Sequence, residues 1–197
     1  MKPDLKTIPS NNPKIADDYN RIAVVYDETG RFELALQYYD SALKIYVSFY
    51  GEDHVKTSYA YNNIGVTLWK QKRYSRALEN LGKALVIKEK LLPIHHPQIA
   101  ATQVNISLVY GDMKKYDLAL MNFEKALKIQ QKTLPENHYK VSWTYYGMAL
   151  VYENTNKYEL AAQFYEKSAR IRRSIFSHCD HHVIEVENAI RRVNNKS

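Results

Sequence analysis

The run His178-Cys179-Asp180-His181-His182 holds the densest potential chemistry in the chain. Imidazole, thiolate and carboxylate all ligate transition metals, so a metal is the first chemistry such a run suggests. Its position argues otherwise. Histidine also stands at His54, His96 and His138, each in a short polar stretch between helical patterns. The run therefore reads as loop and helix-start residues, His95-His96 likewise, and no metal is assigned. Cys179 lacks a base and an orienting group beyond the adjacent histidines, so it is not read as a nucleophile. Asp17-Asp18 and Glu52-Asp53 sit where acids favour a helix N-terminus and are not read as a catalytic pair. There is no glycine-rich phosphate loop, no His-Glu-x-x-His and no paired-cysteine zinc pattern. Asn105-Ile106-Ser107 fits a glycosylation pattern but falls inside a helical core stretch. The expectation is a non-enzyme with no cofactor.

Composition narrows the class. Six Gly and six Pro in 197 residues argue against a turn-rich β architecture. Seventeen Tyr against five Phe imply many half-buried positions, where a ring packs and its hydroxyl reaches water. The single cysteine excludes an intrachain disulfide and suits a reducing compartment. The start has no apolar run and no segment has the length of a membrane span, so a cytoplasmic location without membrane insertion is expected. The formal charge of +7 permits acidic partners, nucleic acid or anionic lipid. Because the cations are dispersed, they read as a solvated helical surface.

The elements that would position any binding residue emerge from a 42-residue register. Alanine recurs at Ala35, Ala77, Ala119 and Ala161, with a ring three residues earlier at Phe32, Tyr74, Tyr116 and Tyr158. A large residue follows at Tyr39, Leu81, Phe123 and Tyr165, and a small one at Ala42, Ala84, Ala126 and Ser168. Twelve before the alanine comes another small column, Ala23, Gly65, Ser107 and Ala149. It is preceded by Ile22, Ile64, Ile106 and Met148 and followed, three on, by Tyr26, Leu68, Tyr110 and Tyr152. Small residues on facing helices let them approach, while rings and aliphatics fill the gaps above and below. Each unit is therefore a helix, a tight turn and a second helix. Gly30 and Asn156 in the turns enter the left-handed region cheaply. Pro93 and Pro135 stop second helices, and Pro13 and Pro97 fit first turns.

These columns resemble the tetratricopeptide repeat. The 42-residue period, with the loops Glu52-Asp53-His54, His95-His96-Pro97 and Glu136-Asn137-His138, looks like the long variant of kinesin light chains and similar adaptor arrays. The resemblance covers about residues 13 to 176 and implies an all-α superhelix, a solenoid of four helical hairpins plus a C-terminal capping helix. The expected boundaries are hairpins at 13–53, 54–95, 96–137 and 138–179, with a cap and tail at 180–197. The family's usual first-column Trp is here Tyr19, Tyr61, Gln103 and Tyr145. Residues 1–12 read as the remnant of a preceding repeat, because Lys6-Thr7-Ile8-Pro9-Ser10-Asn11 parallels Lys132-Thr133-Leu134-Pro135-Glu136-Asn137. That makes a longer array an expectation.

Stacked hairpins of one hand curve, and first helices line the concave side. With the small residue as position eight, helical spacing puts positions two, five, nine and twelve opposite the core. Position two is Asp17, Tyr59, Ala101 and Trp143; position five is Asn20, Asn62, Val104 and Tyr146. Position nine is apolar throughout, at Val24, Val66, Leu108 and Leu150, and position twelve is Asp27, Trp69, Gly111 and Glu153. The expected peptide-binding groove thus comprises Asp17, Asn20, Tyr59, Asn62, Trp69, Val104, Trp143, Tyr146 and Glu153. Aromatics would anchor a peptide or partner helix, and asparagines would grip its backbone. In the family, an asparagine at position five resembles that role, which Asn20 and Asn62 match and Val104 and Tyr146 do not. Asn63 and Asn105 stand one position on, where they would tie neighbouring helices. The family's clamp for a terminal carboxylate uses Lys, Asn and Arg; the matching positions here include Asn20, Val24, Asn63, Ala101 and Asn105, and no cation is among them. The expected function is a protein-interaction scaffold or adaptor for a protein or peptide partner. The alternatives are nucleic-acid binding through Lys83, Lys88, Lys125, Lys128, Arg172 and Arg173, or a regulatory segment of a larger enzyme.

Overall fold

The computed structural model describes residues 12–196, so the remnant expected at the N-terminus lies, except for Asn12, outside the described residues. Those residues form nine α-helices and no strand. They divide into two compact units, Met1–Leu91 and Leu92–Ser197. The first holds α1 (Pro13–Glu28), α2 (Phe32–Tyr50), α3 (Val55–Lys70) and α4 (Tyr74–Leu91). The second holds α5 (Pro97–Asp112), α6 (Tyr116–Thr133), α7 (Tyr139–Asn154), α8 (Tyr158–Ile175) and α9 (His181–Asn194). Within each unit consecutive helices pack as hairpins, and α9 covers α8. No helix among the described residues is long and apolar enough to cross a membrane.

The small columns are where helices approach. Ala35, Ala77, Ala119 and Ala161 are fully buried, as are Ala42, Ala84, Ala126 and Ser168. The large column between them, Tyr39, Leu81, Phe123 and Tyr165, is buried to 3% exposure or less. Ile22 departs from its column. It is 39% exposed, whereas Met148 at the equivalent place is buried against Phe123 of the preceding hairpin. The described residues place no preceding second helix beside Ile22.

Close approach is tightest at Gly147. A Cβ there would lie 2.5 Å from Phe123 Cζ and 2.8 Å from Cε1, and the ring is itself buried. Gly147→Ala is expected to destabilise the protein by about 2 kcal/mol through overpacking. A urea melt checks this, and an unchanged midpoint would show that the ring has room to move.

Two further columns share the register. The first helices and α9 begin at Asn12, His54, His96, His138 and Asp180, each an N-cap. Each side chain accepts from the backbone N–H two residues on, at 2.9, 3.2, 3.2, 3.1 and 2.9 Å respectively. The three histidines accept through Nδ1, so the proton of each neutral ring sits on Nε2. The helix-start role expected of these histidines is their geometry.

The second column closes the first helices. Gly30, Lys72, Lys114 and Asn156 all have positive φ, at 75°, 61°, 57° and 58°. Each allows the next residue's N–H to reach back, as Lys115 N–H does to the Tyr110 carbonyl at 2.9 Å. Lysine enters this region against its own Cβ. Lys114→Gly is therefore expected to stabilise by about 0.5–1 kcal/mol, the left-handed penalty less the extra chain entropy that glycine loses. A rise in the thermal midpoint confirms it, and a fall contradicts it.

Candidate functional site

In the first unit, Asp17 and Asn20, two of the nine positions expected in the groove, bond from α1 to α3, as does Asp27 beside them. Asp17 accepts from the Tyr46 hydroxyl at 2.6 Å and from Lys56 Nζ through both oxygens at 2.7 Å. Burial opposes its charge, but the Lys56 and Tyr46 bonds outweigh burial and hold the carboxyl below its ordinary range. Asn20 accepts from Asn63 Nδ2 at 3.1 Å, so Asn63 ties α3 to α1. Asp27 accepts from Thr67 at 2.8 Å and pairs with Lys70. Asn62 and Trp69 lie half-buried on α3, and each has an interaction of its own. Tyr59 is the most open of the set in this unit, at 36% exposure.

In the second unit Val104 packs against the cluster built on Phe123, Met148 and Val151. Glu153 accepts from Arg192 at both oxygens, at 2.7 and 2.8 Å, and from the Tyr165 hydroxyl at 2.8 Å. The Arg192 bond chiefly, with help from Tyr165 and against burial, keeps Glu153 below the usual carboxylate range. It joins α7, α8 and α9 at one point. Trp143 remains 41% exposed, and Tyr146 is half-buried against Tyr165, their ring centroids 5.3 Å apart. Burial first, then Glu185, raises the Tyr146 hydroxyl to about 12.

These rings are supported by a column on the second helices that recurring residue types do not reveal. Tyr46, Lys88, Gln130 and Arg172 stand 42 residues apart and are all buried, at 4%, 4%, 3% and 1% exposure. Three of them reach position two of their own hairpin. Tyr46 bonds Asp17, Lys88 Nζ lies 5.5 Å from the Tyr59 ring, and the Arg172 guanidinium lies 4.7 Å from Trp143. In the third hairpin, position two is Ala101, and Gln130 instead accepts from Thr144 at 2.9 Å. Arg172 also stands 4.5 Å from Tyr146 and donates through Nη1 to the His182 carbonyl at 2.7 Å and to Glu185 at 2.8 Å. Its buried Nη2 has no hydrogen-bond partner, and the two rings lie against the same guanidinium that Glu185 pairs with. The exposed Tyr59 and Trp143 rings thus each lie against a buried cation.

The metal chemistry considered for the 178–182 run narrows to Asp180, His181 and His182, whose ligand atoms lie within 4.8 Å of one another. Asp180 is also the cap of α9, and the His182 ring packs edge-on to Trp143 and beside Phe176. Cys179 is exposed.

A family model described as "Tetratricopeptide repeat" matches residues 15–90 and 98–174. No curated protein matches the chain. Among solved structures, it is similar to a kinesin light chain from Podosopora anserina with nearly identical TPR-like repeats. That likeness has 17% identity and a TM-score of 0.78, over 94% of this chain and 88% of that one. It is similar to BtubC (BKLC) from P. vanneervenii at 22% identity and a TM-score of 0.75, over 90% and 70% of the two chains. It is similar to the apo form of RapI at 20% identity and a TM-score of 0.74, over 98% and 72%. At these identities the likeness is one of fold.

Proposed function

The chain belongs to the tetratricopeptide repeat family, and we propose that it is a non-catalytic scaffold that holds a peptide or helix of a protein partner against its first helices. One observation carries the reading. Tyr59 and Trp143 occupy the same place in two hairpins, stay 36% and 41% exposed, and each rests on a buried cation. A large exposed ring costs solvation, and a ring held in one orientation loses little entropy when a partner covers it. Each unit presents one such platform. Asp17, Asn20 and Glu153 act around the platforms as fixed polar edges, since their bonds within the fold set where their remaining lone pairs point. Asn62 and Trp69 extend the proposed surface in the first unit, and Val104 and Tyr146 in the second. An intracellular, cytoplasmic setting and membership of a longer array fit this reading.

The experiment is a quantitative affinity profile of wild type against Tyr59→Ala/Trp143→Ala. The double variant is expected to keep its helicity and to retain the wild-type partners at least tenfold less well. Recovery of the same partners at the same strength by the folded variant would sink the proposal.

A further inference from the structure

The fourth hairpin carries a second candidate site, away from the aromatic platform. A surface pocket of ≈ 550 Å³ opens between the loop before α7 and the flank of α8. Tyr145 and Ile171 supply apolar wall, Lys167 and Arg170 supply charge, and Asn137, Ser174 and Glu136 complete it. Tyr145 is two residues from Trp143, which puts it on another side of α7.

The second hairpin shows what such a site looks like when the chain closes it from within. Eighty-four residues earlier stand Tyr61, Lys83, Val86, Ile87 and Lys90, with Glu52 and Asp53 in the loop. Lys83 lies 5.6 Å from the Tyr61 ring and donates to Glu79 at 2.8 Å, and Lys90 pairs with Asp53. Both cations there are neutralised by acids of the same unit. In the fourth hairpin, Lys167 keeps its place 5.7 Å from the Tyr145 ring. The acids are gone: Gln163 stands for Glu79 and Asn137 for Asp53, while Ser174 replaces Lys90 and Arg170 replaces Val86. Neither Lys167 nor Arg170 has a carboxylate partner among the described residues; Glu166, beside Lys167 on α8, pairs with Arg173, and Glu185 and Glu187 on α9 pair with Arg172 and Arg173.

We propose that this pocket takes the carboxylate of an aspartate or glutamate side chain from a protein partner. Arg170 offers a planar fork and Lys167 a point charge, which together suit a carboxylate. The Asn137 amide adds a donor, whereas the Ser174 hydroxyl already donates to the Ile171 carbonyl at 2.8 Å. Tyr145 and Ile171 suit the methylene stem of the incoming side chain. Glu136 remains on the rim, so two cations and one acid leave a single positive charge, which matches a carboxylate better than a phosphate dianion.

The test is NMR titration of the isotopically labelled full chain with the capped peptide acetyl-Leu-Glu-Glu-Leu-amide, its Gln counterpart and its phosphoserine counterpart. The Glu peptide is expected to give saturable shifts at the Asn137, Lys167 and Arg170 side chains, at least tenfold weaker in Lys167→Gln/Arg170→Gln. The same loss is expected in Gln163→Glu/Asn137→Asp/Ser174→Lys, which reinstates the closure of the second hairpin. All the residues changed are exposed, and unchanged helicity verifies the fold. Trp143→Ala should leave the titration intact, which separates this site from the aromatic platform. No saturation with the Glu peptide, equal shifts with the Gln peptide, or unchanged binding in both variants would overturn the proposal. Saturation by the phosphoserine peptide alone would overturn the carboxylate assignment.

Discussion

Arg172→Ala is expected to destabilise the second unit by about 3 kcal/mol, because it removes a buried ion-pair partner together with two cation–aromatic contacts. The side chain is 1% exposed and serves four neighbours at once: the Trp143 and Tyr146 rings, the His182 carbonyl and the Glu185 carboxylate. Truncation leaves the carbonyl and carboxylate without their donor, and a void beneath both rings. Arg172→Lys keeps the charge but not the planar fork, so it is expected to recover less than half of the loss. Urea melts give the magnitude. Tryptophan emission, read in a Trp69→Phe background, should shift to the red as Trp143 loses its support. If Arg172→Ala melts like wild type with Trp143 emission unchanged, Arg172 does not fix the ring.

Lys88 occupies the same column but is expected to act on stability with the opposite sign. Burial at 4% exposure pulls its ammonium down to about 8. Its ordinary value is near 10.5. Below pH 8 both folded and unfolded chains are protonated there, and the fold bears the full cost of a buried charge. Between pH 8 and 10.5 the folded chain sheds the proton while the unfolded chain keeps it, so this contribution to stability rises with pH. Lys88→Met is therefore expected to stabilise at pH 7 by up to about 3 kcal/mol, since each tenfold change in proton affinity is worth ~1.4 kcal/mol. The gain should shrink toward zero above pH 10.5. Only the difference between the two proteins isolates this effect, because the buried tyrosines Tyr39, Tyr46 and Tyr165 hold on to their protons and weaken the fold at high pH. The variant should bind partners less well despite its greater stability, since the Tyr59 ring loses its support. A pH-independent difference contradicts the assignment.

That pair also shows what a sequence alone does not disclose. The alanine, ring and small columns were legible because the same size recurs at the same place, and close helix approach tolerates little else. Tyr46, Lys88, Gln130 and Arg172 share no residue type. They share length and a polar tip, and a search for repeated types passes over them. The left-handed turn was legible at Gly30 and Asn156 but hidden at Lys72 and Lys114, where the hydrogen-bonding of the helix end overrides the preference of the side chain. The candidate site was legible as a set of positions on a helix face. Which of those side chains had partners in the fold was not, because Asp17 meets Lys56 across 39 residues and Glu153 meets Arg192 across 39. Helical spacing assigns faces within one helix and is silent on which tips meet between helices.

Each supported ring, one in each unit, is a proposed contact for a partner protein. The direct measurement places a photo-reactive phenylalanine at position 59 or 143 and, as a control, at Val86, which is 64% exposed and apolar but outside the proposed surface. Cross-linked peptides from cells are then quantified by mass spectrometry. Saturable adducts with partner peptides at 59 and at 143, each at least tenfold above position 86, are the predicted result. Equal yields at all three positions, or adducts at 86 alone, would contradict it.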